Sequence, residues 1–200
     1  MTLSPLHWRR YAAECLGTAT LTFAVLRSLP EPGVTPVMAG IVLMLAVYIL
    51  GPVSGAHVNP AVTVALLSIK KIKPAEALAY IAAQLVGAVA AQFIFLYFMD
   101  GLPPVTVTPG WTVAVAEALG AFFLLLGIAA VVHGKVHSAA GGLVIGFSLL
   151  LGILFASLMS NGVLNPAVAV GIRSVSLSYL IAPFIGAVAA VYLYQWMAKE

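Results

Sequence analysis

At 57–64 the chain reads HVNPAVTV, and at 161–170 it reads NGVLNPAVAV. The triplet Asn-Pro-Ala thus appears twice in a sequence with few polar residues. The chemistry these residues support is hydrogen bonding rather than bond making. Asn caps a helix by accepting a backbone N–H on its side-chain oxygen. Pro suits the first helical position, where no donor is needed, and Ala continues the turn. Asn59, Pro60 and Ala61, and again Asn165, Pro166 and Ala167, therefore read as two capped helix starts, each with an amide NH2 left to donate. A lone Asn-Pro reads as a surface turn; two copies, each before a short apolar helix, read as one paired site.

The elements that must position this pair are membrane helices. The chain has 200 residues, 62% hydrophobic and 8% charged, with mean hydropathy +1.11, against about 25% charge in soluble domains. Six apolar segments, near 11–27, 34–51, 75–98, 111–132, 139–159 and 177–197, are long enough to cross a bilayer. Two shorter ones, near 59–68 and 165–172, reach only half way at 1.5 Å per residue. The expected architecture is an all-α polytopic membrane protein, one membrane domain over 1–200. The basic start runs straight into a span without a cleavage pattern, so no secretory leader is expected. Cys15 has no partner for an internal disulfide.

With the N-terminus inside, Arg9, Arg10, Lys70, Lys71, Lys73, Lys135 and Lys199 fall on the cytoplasmic side, and Arg27 and Arg173 on the outer side. Both termini are then cytoplasmic. The basic residues, net charge +3 and pI near 9.1, belong to membrane topology rather than to nucleic-acid binding. Three matches link the halves, approximately 8–99 and 111–198: AECLGTATL with AEALGAFFL, GAHVNPAVTV with NGVLNPAVAV, and YIAAQLVGAVAA with YLIAPFIGAVAA. Three spans per half force the repeats to be inverted, an arrangement that builds a transport site at the repeat interface.

The two short helices then meet tip to tip near the midplane. The segments leading in, 52–58 and 160–164, are read as non-helical, which is tolerated at that depth only beside a polar cavity. The carbonyls of Gly55, Ala56, His57, Asn161, Gly162 and Val163 would line it as acceptors, and Asn59 and Asn165 would donate at the narrowing. Two helix dipoles, each about +0.5 charge, would repel cations and turn a passing water's oxygen toward the amides. Glu14 and Glu117, equivalent in the first and fourth spans, are read as supports for the folded-in loops, with a proton or cation relay as the alternative. His57 either lines or gates the path, or anchors its loop. His133 and His137 read as solvated, and His7 with Trp8 as an interface anchor. Gly17, Gly87, Gly120, Gly186, Gly40 and Gly146 are expected at helix crossings. No nucleotide loop or metal-ligand motif appears, so neither a cofactor nor an enzyme is expected.

On SGAHVNPAVT (54–63), AECLGT (13–18), AEALGAFFL (116–124), AAQLVGA (82–88) and LNPA (164–167), the sequence resembles the major intrinsic protein family of aquaporins and glycerol facilitators. The resemblance implies six spanning helices and two half-helices around a pore, passage of water and small neutral solutes such as glycerol, urea or ammonia, and assembly as a homotetramer in membrane lipid. It also implies an outer selectivity filter, carried over here to Ala39, Ile153, Gly162 and Val168. Most members have Arg where this chain has Val168. Its loss removes donors and a fixed charge, so a wider, more apolar filter is expected. Three readings follow: a loosely selective passive channel, a structural or poorly conducting membrane protein, and a channel with partial cation or proton leak.

Overall fold

The structure is a computed structural model that describes residues 5–31 and 33–199. Its order is α1 (Pro5–Ser28), α2 (Thr35–Ser54), the short α3 (Pro60–Ser68) and α4 (Pro74–Phe98), then α5 (Trp111–Val132), α6 (Gly141–Ala156), the short α7 (Pro166–Gly171) and α8 (Leu177–Met197). Long, long, short, long thus occurs twice, in an inverted repeat. The α2, α4, α5 and α8 helices, and α6 with the 3-10 turn before it, are long and apolar enough to cross a membrane. At 24 residues α1 also has the length; Arg9, Arg10, Glu14 and Arg27 make it less apolar.

Packing interlocks the halves. The pairs α1–α4 and α5–α8 are each half's closest partners, and α2 packs on α6 across the middle. Yet α3 lies mainly on α8, and α7 mainly on α4, so each half-helix is seated in the other half. Close approach depends on missing side chains. A Cβ on Gly186 would collide with the Ala118 carbonyl, and one on Gly87 with the Cys15 carbonyl. Gly40 and Gly146 face each other's carbonyls at the α2–α6 crossing. Gly17 and Gly120 play a different part: each lies under a side chain of a folded-in segment, Val58 and Leu164 respectively, with Gly120 also meeting the Gly152 carbonyl.

The first inward segment is shorter than the sequence reading placed it. Pro52–Ser54 are helical, and only 55–58 is non-helical before the Asn59 cap. Pro52 sits in the last turn of α2, and Gly55, at φ 91°, closes that helix by donating to the Gly51 carbonyl. The second segment runs from Ser160 to Asn165, as α6 ends at Ala156. His133 is half-buried rather than solvated, while His137 is exposed as expected. His133 Nδ1 lies 2.8 Å from the Ala129 carbonyl with its ring against Tyr194, and His137 Nδ1 accepts from Ala139 N at 3.3 Å. Trp8 is exposed beneath Arg9, whereas the side chain of His7 lies outside the described residues.

Candidate channel site

Each Asn is an N-cap with extended backbone and a Pro behind it. Asn59 Oδ1 accepts from Ala61 N at 2.8 Å, and Asn165 Oδ1 accepts from Ala167 N at 3.0 Å and Val168 N at 3.3 Å. The amide nitrogens are not wholly free. Asn59 Nδ2 donates to the Leu164 carbonyl at 3.0 Å, and Asn165 Nδ2 donates to the Val58 carbonyl at 2.9 Å. Each half thus ties down the residue just before the other half's Asn. One hydrogen of each NH2 is spent on this brace, and one remains.

Those two residues hold an unusual backbone. Val58 has φ 41° and Leu164 φ 56°, left-handed values that β-branched and bulky side chains avoid. Two buried carboxylates hold them there. Glu14 accepts from His57 N (2.9 Å), Val58 N (2.7 Å), Ser54 Oγ (2.6 Å) and Gln84 Nε2 (2.8 Å). Glu117 accepts from Val163 N (3.0 Å), Leu164 N (2.7 Å) and Ser160 Oγ (2.7 Å). Pro183 stands where the repeat has Gln84, so that donor has no counterpart. Tyr80 donates to the Ser54 carbonyl at 2.6 Å, whereas Tyr179 Oη accepts from Asn161 N at 3.1 Å.

A cavity of about 140 Å³ passes both Asn caps. That is room for several water molecules. Its lining begins at Thr35, where α2 starts, and reaches Val131 and Val132, where α5 ends. Helix alternation puts these on opposite sides of the bundle. No lining residue is charged among those described; the polar ones are Thr35, His57, Asn59, Asn161 and Asn165. Gly55, Ala56, His57, Asn161, Gly162 and Val163 all line it, and among the described residues no hydrogen bond from the protein reaches their carbonyls. His57 also has Nδ1 3.1 Å from Thr63 Oγ1 and its ring against Tyr80.

Comparison with known proteins bears on what passes. Residues 1–194 match the family model for the major intrinsic protein. Aquaporin AqpM of Methanothermobacter marburgensis is 33% identical over 184 residues, covering 80% of this chain and 75% of that protein. The glycerol uptake facilitator protein-like 6 of Lactiplantibacillus plantarum is 32% identical over 216 residues, covering 96% and 99%. The chain belongs to the major intrinsic protein family. The X-ray structure of the aquaglyceroporin from Plasmodium falciparum shares the fold, with TM-score 0.69 at 22% identity, over 94% of this chain and 95% of that one. As a member of the major intrinsic proteins, the chain is a passive membrane channel for water or small solutes, not an enzyme.

In this major intrinsic protein Ala39, Ile153, Gly162 and Val168 line the same cavity together. Gly162 has φ 61°, and a Cβ there would press on Ser157 Oγ and Ile153. Arg173 does not fill the place beside Val168. It follows the Ile172 cap of α7 at φ 61°, is exposed, and is absent from the lining. The segment 101–110 does not enter the cavity either; it bonds to Asn161 through the Thr106 carbonyl. The sequence reading missed the brace, Gln84, Thr63 and the two tyrosines. Tyr80 and Tyr179 had a signal, since they open the third matched pair of the repeat.

Proposed function

We propose that the chain passes water and small neutral solutes, including glycerol, urea and ammonia, through a wide, apolar outer filter formed by Ala39, Ile153, Gly162 and Val168. The reading rests on one observation above all: the cavity runs past both asparagines without meeting a charged side chain. Water's oxygen accepts the remaining amide hydrogen of Asn59 and of Asn165. Two donors facing one file turn successive waters apart and interrupt proton hopping along it. The electrostatic contribution of the half-helices is unequal, since α3 has nine residues and α7 only six. Elsewhere the file meets backbone acceptors and apolar walls, so transit involves little binding. Glu14 and Glu117 support the two inward loops rather than forming a relay along the path.

In this reading the halves near 8–99 and 111–198 form one domain with cytoplasmic termini, and family membership favours a homotetramer. Proteoliposomes under osmotic shock, followed by light scattering, test conduction. The expected result is water and glycerol permeability well above that of empty vesicles. Rates equal to empty vesicles mean a structural or closed protein, against which the open cavity argues.

A second reading has its own observation. With Val168 in the ring and Arg173 outside the cavity, no fixed positive charge stands at the outer narrowing. Partial leakage of protons or small cations follows. Val168→Arg is expected to lower that leak and to slow glycerol more than water, measured with a pH-sensitive dye inside the vesicles and by light scattering. Unchanged leak and unchanged solute range refute the filter assignment.

A further inference from the structure

Asn161 stands beside the filter residue Gly162 and lines the cavity, but its side chain has no part in the capping or bracing described above. Its amide nitrogen is fully engaged. Nδ2 donates to the Thr106 carbonyl at 3.1 Å and to Ser174 Oγ at 2.9 Å, which uses both hydrogens. These contacts also fix the amide orientation, because a flipped Asn161 would set its oxygen against the Thr106 carbonyl. The oxygen Oδ1 therefore stands on the other edge of the amide, receives no hydrogen bond from the described residues, and is not among the buried unpartnered atoms. It is an accessible acceptor on a residue of the cavity wall.

The neighbouring polar groups have the same character. Thr35, the other polar side chain at this end, gives its hydroxyl hydrogen to the Ser28 carbonyl at 3.1 Å, leaving lone pairs. The backbone donors nearby are spent inside the loop: Gly162 N on Ser160 Oγ, Val163 N on Glu117, and Val168 N on Asn165 Oδ1. Ala39, Ile153 and Val168 offer nothing polar. The outer narrowing thus presents acceptors without donors.

We propose that Asn161, through Oδ1, makes the outer narrowing selective for solutes that donate hydrogen bonds: amides, amines and hydroxyl compounds pass in preference to acceptor-only solutes of the same size. This deepens the channel reading and rests on it. A solute entering the narrowing leaves bulk water behind. A donor regains a partner on Asn161, whereas an acceptor finds none and carries the unmade bond. Asn161 is in this sense a specificity-determining residue, acting by what the missing filter arginine would have reversed.

Acetamide and dimethyl sulfoxide make the test, since each has four heavy atoms and only acetamide has N–H donors. Permeability of both, and of water, is measured in proteoliposomes after subtracting empty vesicles. Expected are a higher acetamide rate for the native chain, a fall in the acetamide to dimethyl sulfoxide ratio of about five- to tenfold in Asn161→Leu, and a ratio within about twofold of native in Ser174→Ala, which loosens the tether but keeps the oxygen. Equal rates for the two solutes in the native protein overturn the proposal without touching the channel reading. So does an unchanged ratio in Asn161→Leu, or a fall in Ser174→Ala as large as in Asn161→Leu, which would assign the effect to the tether. Water flux no higher than empty vesicles overturns the channel reading and this inference with it.

Discussion

Glu14 and Glu117 show how much depends on single residues here. Each is fully buried and sits under a loop whose N–H groups have no helix or sheet to bond to. A carboxylate has two oxygens and accepts on both; Gln has one. Glu117→Gln would leave the Leu164 N–H facing an NH2 group, at a cost of about 2–3 kcal/mol. The expected outcome is a thermal unfolding midpoint in detergent lowered by several degrees, and an unchanged midpoint would show that the carboxylate does not hold the loop. The pairing of these two glutamates was legible in the sequence, because AECLGTATL and AEALGAFFL align them. The brace between Asn59 and Leu164 was not. It joins residues 105 apart in the chain, and no local pattern announces which carbonyl an amide will meet.

At the scale of elements, the short helices end as carefully as they begin. After α3, Lys70 N bonds the Leu67 carbonyl and Lys71 N the Leu66 carbonyl, with Lys70 at φ 61°. After α7, Arg173 N bonds Val170 and Ser174 N bonds Ala169, with Arg173 also at φ 61°. Both are Schellman closures, here with a basic side chain at the left-handed position, where Gly is usual and a cation suits the helix C-terminus. This places Arg173 past the end of the half-helix and outside the cavity lining. The long helices were plain from their apolar runs. The end of α2 was not, since Pro52 reads as a breaker although a proline in a last turn forfeits only one hydrogen bond. Crossings between these helices rest on glycine. Gly186→Val would push α8 off the Ala118 carbonyl of α5. It is expected to reduce folded yield sharply on size-exclusion chromatography, whereas Gly33→Val, with nothing within 4 Å of an added Cβ, should leave yield unchanged. Equal yields would mean that α5 and α8 can pack further apart.

At the scale of the whole molecule, the halves are adjacent in sequence but intermeshed in space, with α3 on α8 and α7 on α4. The segment between them, 99–110, contributes Leu102 and Val107 to packing and the Thr106 carbonyl to Asn161, and no spanning helix. Connectivity there is therefore not what orders the bundle. Residues 1–103 and 104–200 expressed together as separate chains are expected to copurify and to restore water flux in vesicles, while either alone should not. Failure to copurify would show that the halves need the covalent link to find each other.

The brace at the centre also bears on where this molecule can vary. Asn59 and Asn165 each cap a helix, hold the opposite loop and face the cavity. A replacement at either must satisfy three demands at once, so little variation is open to it. Ala39, Ile153 and Val168 meet the cavity with apolar side chains that make no hydrogen bond, and all three are buried in the core. A replacement there has only packing to satisfy, so a side chain of similar volume leaves the bundle folded. In the proposed reading, permeant range changes at these positions through side-chain shape alone, whereas at the asparagines it is tied to structural integrity, and a chain can keep both triplets intact and still carry Val168.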